Sequence, residues 1–310
     1  MTRNSNVAAV VVTYHPEVVQ LQSLLEALLP QVGAIFVVDN TDTYEAEWPS
    51  RLFHDIPAVQ IIRNRENLGV AAAQNIGIST ALSGGFEYIL ISDQDSMPSH
   101  KMVEELRRAF DSVVLQNRKV AAIGPCYVDE YTGAFVPFQT LDTLRCFHRS
   151  PRVQLKGSPV QVLTMISSGT LLSCAAVRDI GLMMDGLFID HVDTEWCFRA
   201  RSMGYALFGA PHARLSHRLG ERSFWVWAGV WRKHTEYGPR RLYYRYRNFV
   251  ILCKLPYVGT CWKVRAGWNW LGDAYAQLVF SRGRLAKLAA IIRGVSDGLR
   301  GRQGPLPDNS

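Results

Sequence analysis

Two short acidic clusters hold the residues best suited to chemistry in this chain. The first is Asp93-Gln94-Asp95, at the end of the apolar run Tyr88-Ile89-Leu90-Ile91-Ser92. Side chains alternate in direction along an extended chain, so Asp93 and Asp95 are expected on the same side. Two carboxylates so placed repel unless something positive joins them. A hard divalent cation bridging phosphate oxygens would do so, because Mg²⁺ takes one or two protein carboxylates plus substrate phosphates. The structural alternative is an acidic turn capping a helix that starts near Ser99, with Pro98 at its beginning. The second cluster is Asp190-His191-Val192-Asp193-Thr194-Glu195, directly ahead of an amphipathic helical pattern. Acids at a helix start favour the macrodipole and cap it. An acid next to a histidine also suits proton transfer. The residues themselves leave both readings open.

The surrounding pattern says how these clusters are placed. Val7–Val12, Ala34–Val38, Val59–Ile62 and Tyr88–Asp93 read as strands. Leu21, Leu24, Leu25 and Leu28 recur with helical spacing, and Asn67 to Gly77 reads as a loop entering an Ala-rich helix. Strand–helix alternation predicts an α/β fold with a mostly parallel sheet flanked by helices. Ligands of such sheets bind beyond the carboxyl ends of the strands, where Thr13, Asp39 and Asp93 then converge. Asp39 suits a base imide or a sugar hydroxyl, and Asn67 and Gly69 allow a backbone to pass close to a ligand. No Gly-x-Gly-x-x-Gly follows the first strand, which argues against a dinucleotide cofactor.

Further strands are expected at Val120–Gly124, Val160–Ile166 and Tyr205–Phe208, with a helix at Cys174–Ile180 closed by Gly181. The strand at 160–166 runs into Ser167-Ser168-Gly169-Thr170, a turn able to approach a substrate closely. Leu215 to Gly220 contains His217 and Arg218, which suit phosphate charge.

The chain of 310 residues has a net charge of +7, unevenly placed. Residues 226–310 carry 15 Lys and Arg against 4 Asp and Glu, a net +11, which leaves −4 for residues 1–225. Five of the eight tryptophans also lie in that basic stretch. Trp, Tyr and Arg together are what a membrane–water interface selects, and an ordinary helical cap with a basic solvated face is the other reading. Leu285, Leu288, Ile291 and Ile292 repeat helically among Arg282, Arg284, Lys287 and Arg293. No nucleic-acid-binding motif is present. No uninterrupted apolar run is long enough to span a bilayer, and no secretory leader is visible. The six cysteines form no Cys-x-x-Cys pair and are expected as reduced thiols in a cytosolic compartment.

Taken together, several motifs resemble family 2 glycosyltransferases of the GT-A fold. They are Val-Val-Thr-Tyr at 11–14, Val-Val-Asp-Asn at 37–40, Asn-Leu-Gly-Val-Ala-Ala-Ala-Gln-Asn-Ile-Gly at 67–77, Asp-Gln-Asp at 93–95, Asp-His-Val-Asp-Thr-Glu-Trp at 190–196 and His-Arg-Leu-Gly at 217–220. The resemblance covers about residues 7 to 250. Ser-Asp-Gln-Asp-Ser, Phe-Ile-Asp-His-Val-Asp-Thr-Glu and the ending Asp297-Gly298-Leu299-Arg300-Gly301-Arg302 are similar to its rhamnosyltransferase subgroup, which includes enzymes of rhamnolipid synthesis. O-antigen and cell-wall polysaccharide enzymes share that subgroup.

With the change in charge and composition after 225, the expected division is a GT-A domain at 1–225 and a helical, basic, aromatic region at 226–310. The resemblance implies inverting transfer of L-rhamnose from dTDP-β-L-rhamnose to a hydroxyl of a glycolipid or lipid-linked saccharide. Thr13, Tyr14, Asp39, Asn40, Asn67, Gly69, Asn75, Asp93, Gln94, His217 and Arg218 would form the nucleotide-sugar site. Asp93, Asp95 and His217 would hold Mg²⁺ or Mn²⁺. Asp193 matches the family's base position, while Val192 and Glu195 depart from its usual acids, so Asp190 and Glu195 remain rivals. The basic, aromatic tail adds an expected location, cytoplasmic and peripheral on anionic lipid at the inner face of the cytoplasmic membrane. Another nucleotide-sugar donor on the same fold, or a non-catalytic nucleotide-binding or membrane-surface scaffold, are the alternatives.

Overall fold

The computed structural model describes residues 4–42, 53, 56–116, 118–129, 135–140, 148–149, 157–217, 223–227, 229 and 231–307. The first strand, β1 (Asn4–Thr13), is apolar on both faces and buried, as a central parallel strand must be. It pairs in parallel with β2 (Val32–Asp39) on one side and β4 (Tyr88–Asp93) on the other, and β2 pairs in parallel with β3 (Val59–Arg63). The register sets Thr13 beside Asp39 and Val12 beside Asp93, so three strand ends open at one level. Two helices cover one face: α1 (Val18–Leu28), whose Leu21, Leu24, Leu25 and Leu28 point inward, and α3 (Met102–Val114). The other face carries α2 (Val70–Ser83), built from small residues that let it lie close on β1. A Cβ on Gly77 of α2 would come within 2.2 Å of the Val10 side chain.

The second half of the sheet is mixed. A three-residue strand, β10 (Leu171–Ser173), inserts antiparallel between β4 and β6 (Val120–Asp129). Next comes β11 (Ala206–His217), parallel to β6, and then β5 (Ser96–Pro98), antiparallel to β11. The order is β3-β2-β1-β4-β10-β6-β11-β5, with β9 (Val160–Gln161) also paired to β11. A separate short pair joins β7 (Gln139–Thr140) and β8 (His148–Arg149). The remaining site-bearing helices are α4 (Cys174–Ile180) and α5 (Val192–Ser202). Then follow a hairpin, β12 (Ser223–Trp227) and β13 (Trp231–Thr235), and the helices α6 (Pro239–Lys254), α7 (Thr260–Val279) and α8 (Arg284–Leu299).

Several elements differ from the sequence expectation. The strand expected at 160–166 stops at Gln161, because Leu163 and Thr164 leave the sheet to bond Gln139. The strand expected at 205–208 instead runs from Ala206 to His217, so the main chain of His217 is part of the sheet. Pro98 lies in β5, and α3 begins only at Met102, so Asp93 and Asp95 do not cap it. Cys126, Cys174, Cys197 and Cys253 are free thiols as expected, but Cys261 at the start of α7 is disulfide-bonded. Among the described residues no helix is long and apolar enough to cross a membrane.

The C-terminal helices pack on the α/β body through α6. Gly294 and Gly298 of α8 meet its backbone, where added Cβ atoms would lie 2.5 Å from Tyr243 O and 2.6 Å from Arg247 O. Asp297, buried beside Gly298, accepts hydrogen bonds from Tyr243 (3.0 Å) and Arg302 (3.0 Å). The ending at 297–302 is therefore a docking seam between α8 and α6.

Candidate active site

The first wall of the site is made by the ends of β1 and β2. Asp39 Oδ1 accepts hydrogen bonds from Thr13 Oγ1 (3.0 Å), Thr41 N (3.2 Å) and Thr41 Oγ1 (2.7 Å). Thr13 is completely buried, so its hydroxyl orients Asp39 rather than facing the opening. Asn40 is also buried and ties β2 to the next loop: its Nδ2 donates to Gly69 O (3.0 Å), and its Oδ1 accepts from Asn64 (2.8 Å). Asn67 Oδ1 accepts from Gly69 N (3.0 Å), closing the turn into α2. Gly69 has φ +85°, and a Cβ there would strike the Phe188 ring at 2.6 Å, so both conformation and space demand glycine.

The acidic pair sits at the mouth. β4 ends at Asp93, the chain turns at Gln94 and Asp95, and β5 starts at Ser96. The extended geometry expected of Asp93 and Asp95 is thus replaced by a turn. The residue between them has its own task. Gln94 Oε1 accepts from Tyr14 N (2.7 Å) and its Nε2 donates to Tyr14 O (3.1 Å), clipping the loop after β1 to the acidic turn. Tyr14 itself is exposed, edge-on to His15 at 4.4 Å.

The Ser167–Thr170 turn joins the two acidic clusters. Asp93 N donates to Ser168 Oγ (3.1 Å), and Ser168 Oγ also contacts Ser96 Oγ (2.6 Å). The main chain of Ser167 bonds the Asp193 carboxylate. Tyr127, from β6, donates to Ser168 O (2.9 Å), and the charges of both Asp193 and Asp93 bear on its hydroxyl. Burial, reinforced by those two charges, pushes the Tyr127 hydroxyl well above its ordinary value.

The loop before α5 has an unusual backbone. Phe188, Asp190 and His191 all have positive φ, at 66°, 62° and 66°. Such conformations are rare outside glycine and need support. The support comes from α6: Asn248 Nδ2 donates to Leu187 O (2.8 Å), Ile189 O (2.7 Å) and Asp190 O (3.0 Å). The buried Arg247 donates to Leu187 O (3.0 Å) and Gly186 O (3.2 Å), and Phe188 stacks on Tyr244 at 4.8 Å.

The three acids of this cluster have different surroundings. Glu195 is fully buried and paired bidentately with Arg199 (2.9 and 2.9 Å), and it accepts from Tyr257 (2.5 Å). Asp190 faces Arg241 (3.3 Å) and Arg245 (3.8 Å) of α6. Asp193, in the first turn of α5, bonds Thr194 N (2.6 Å) and Thr194 Oγ1 (3.2 Å) through Oδ1. Burial pushes the Asp193 carboxyl up to about 6, against the lowering effect of the Thr194 bonds and with a further rise from Asp190. Burial also holds the neighbouring His191 down at about 4, so it is neutral near pH 7. One acid of three is thus left as a proton acceptor poised near neutrality.

Residues 9–160 match the model of Glycosyl transferase family 2. The dTDP-rhamnosyl transferase RfbF of Shigella flexneri is 31% identical over 301 residues, covering 97% of this chain and 98% of the relative. The chain belongs to glycosyltransferase family 2. Solved structures agree on the GT-A-like fold. GalNAc-T7 with UDP, GalNAc and Mn²⁺ superposes with a TM-score of 0.60 at 14% identity, over 95% of this chain and 56% of that one. Residues 1–349 of S. aureus TarS give a TM-score of 0.57 at 14% identity, over 95% and 82%.

Among the described residues of this family 2 glycosyltransferase, no group of three or more His, Cys, Asp or Glu is arranged around a metal position. Two part-exposed carboxylates at a strand end nonetheless suit a hard cation that draws its other ligands from phosphate and water. The main chain of His217 pairs with Ser96, one residue beyond Asp95, but its side chain and all of Arg218 lie outside the described residues. Asn75 is engaged elsewhere, its amide bonding both N (2.8 Å) and O (2.9 Å) of Met183, so it braces α2 against the segment leading to the acidic loop before α5. Sequence reasoning missed Arg247, Asn248 and Tyr257. They sit about 60 positions from the residues they hold, and no local pattern marks them.

Proposed function

We propose that this glycosyltransferase moves L-rhamnose from dTDP-β-L-rhamnose to a hydroxyl of a glycolipid or lipid-linked saccharide, with inversion at the anomeric carbon. The donor is suggested by the 31% identity to a dTDP-rhamnosyl transferase over nearly the full length of both chains. The chemistry rests on one observation: of the three clustered acids, Asp193 alone combines a carboxyl raised to about 6 with no ion pair to an arginine among the described residues. In the reaction the acceptor oxygen attacks C1 of the sugar, its proton passes to Asp193, and the C1–O bond to the diphosphate breaks. The leaving dTDP carries away the bonding electrons. A neutral hydroxyl is a poor nucleophile, and a positioned carboxylate removes its proton as the new bond forms.

Asp39, held by Thr13 and Thr41, faces the nucleoside end, with Asn40, Asn67 and Gly69 shaping the loop beside it. Tyr14 offers an exposed ring at the same mouth, set by Gln94. Asp93 and Asp95 would hold Mg²⁺ or Mn²⁺, which when bound neutralises charge on the diphosphate. His217, whose main chain pairs with Ser96, and Arg218 would meet charge on the phosphates. The deciding experiment is calorimetric titration with dTDP-rhamnose and UDP-N-acetylglucosamine, followed by mass spectrometry of products from rhamnolipid and lipid-linked saccharide acceptors. Selective binding of dTDP-rhamnose and a product heavier by one deoxyhexose are expected. Binding of only the UDP sugar would overturn the donor assignment.

A further inference from the structure

We infer that the outward face of α7, together with the exposed apolar residues of α8, docks on an anionic bilayer surface. An ordinary surface helix turns its apolar stripe inward and its polar stripe to water. Here α7 has two apolar stripes. Trp262, Ala266, Trp270 and Ala276 are buried, while Val264, Trp268, Leu271, Tyr275 and Val279 recur with helical spacing on the exposed side. Trp268 is 71% exposed and Leu271 64%. From α8, Leu285, Leu288 and Ile292 are exposed as well. The structure also sorts the repeat seen in the sequence, since Ile291 and Lys287 turn inward, Lys287 to bond Glu236 (3.0 Å) and Ser281 (2.7 Å). Apolar surface left in such amount marks an interaction site.

Charge identifies the occupant. From Thr260 to Arg302 the only acids are Asp273 and Asp297, and both are buried, at 8% and 3% exposure. Arg265, Arg282 and Arg284 are exposed, as are Arg300 and Arg302, which pair with Asp297. The face therefore shows water apolar groups and charge of a single sign. A second copy meeting it through a two-fold interface would bring the same patch, and the same cations, against itself. Anionic headgroups neutralise them, and tryptophan with arginine is the composition an interfacial helix uses.

The inward stripe of the same helix reaches the catalytic loop, with Trp270 and Trp262 rings 5.5 and 6.4 Å from the His191 ring. A helix is about 10 Å thick, so the docked bilayer would lie roughly that far behind His191. On the transferase reading, this brings a lipid-borne acceptor close to Asp193. The docking itself is measured without turnover, so the two ideas fail separately.

The test is co-sedimentation of the full chain with vesicles of phosphatidylcholine, with and without about 30% phosphatidylglycerol. Wild type should pellet with the anionic vesicles and release as salt rises, because exposed charges are screened. Trp268→Ser with Leu271→Ser should lower the partition coefficient at least about tenfold. Arg282→Gln with Arg284→Gln should lower it by about tenfold on anionic vesicles and leave it unchanged on neutral ones. Both pairs are solvent-exposed, and unchanged melting temperatures would show that the fold is intact. Pelleting of both double variants like wild type overturns the inference. So does a wild type that binds no vesicles but is a dimer by light scattering, with the Trp268/Leu271 variant monomeric; the occupant would then be a second copy.

Discussion

Replacing Asp193 with Asn keeps the shape of the side chain and removes the proton acceptor, and two consequences of opposite sign follow. Turnover should fall by about 10²–10⁴, the usual contribution of a positioned general base. Donor affinity should change little, because the base acts in the transition state rather than in binding. Stability should move the other way. Burial raises this carboxyl from 3.8 to about 6, so the folded state prefers it protonated. That preference is fully present below 3.8 and is lost as pH rises through about 6, leaving the ionised side chain destabilising at pH 7. A shift of that size corresponds to about 3 kcal/mol if unscreened, and partial exposure reduces it to about 1–2 kcal/mol. The Asn variant should therefore melt higher at pH 7 than wild type, and equally at pH 3.

The assay follows kcat/KM for the acceptor against pH, beside thermal melts across the same range. Wild type should lose activity below pH 6, about tenfold per unit, since only the ionised carboxylate accepts a proton. Asp193→Asn should show a flat profile over that limb at its residual rate. An Asn variant within about threefold of wild-type turnover, or one that keeps the acid limb, would refute the assignment. Asp190→Asn then becomes the next variant to test, because its carboxylate lies in the same loop.

Glu195→Gln should cost about 3 kcal/mol in chemical denaturation, because it breaks the bidentate pair between the fully buried Glu195 and the half-buried Arg199, while the folded fraction keeps near-normal kcat. Asp95→Ala should abolish the difference between donor titrations run with Mn²⁺ and with chelator, and an undiminished metal effect would remove Asp95 from the cation site. Asn248→Ala should lower kcat by about 10–100-fold with donor affinity nearly unchanged, since a base displaced by about 1 Å loses that much.

Much of the α/β body was legible because its signals are local. Val7–Val12, Val37-Val38-Asp39 and the run into Asp93 show their burial and their endings in consecutive residues, and the parallel register then follows from strand–helix alternation. β10 escaped because three residues carry no periodicity, although it alone makes the sheet mixed at its centre. The acidic cluster at 190–195 was legible as a site but not as an assignment. Its three carboxylates look alike in sequence: Arg199 lies one helical turn from Glu195, but the other partners that distinguish them, Arg241, Arg245 and Tyr257, are between 51 and 62 residues away. The same holds for Asn75, whose motif suggested the nucleotide pocket and whose amide is taken by Met183, 108 positions on.

The C-terminal helices complete the site rather than only decorating it. Three non-glycine residues with positive φ, at 188, 190 and 191, cost about 1–2 kcal/mol each. Asn248 and Arg247 answer with five hydrogen bonds to main-chain oxygens of residues 186–190, each contributing about 0.5–1.5 kcal/mol. The two sums are of similar size, so the loop holds its strained shape only while α6 is seated. The strain has a geometric result. His191 in the left-handed region acts as the N-cap of α5, and the turn that follows swings Asp193 toward Ser167 and the Asp93 strand end. A relaxed loop would start α5 at another angle and carry the carboxylate away from the acidic turn. The basic, aromatic end of the chain therefore holds the Asp193 loop through α6, while α7 sets Trp262 and Trp270 beside His191 and exposes a second apolar stripe on its other side.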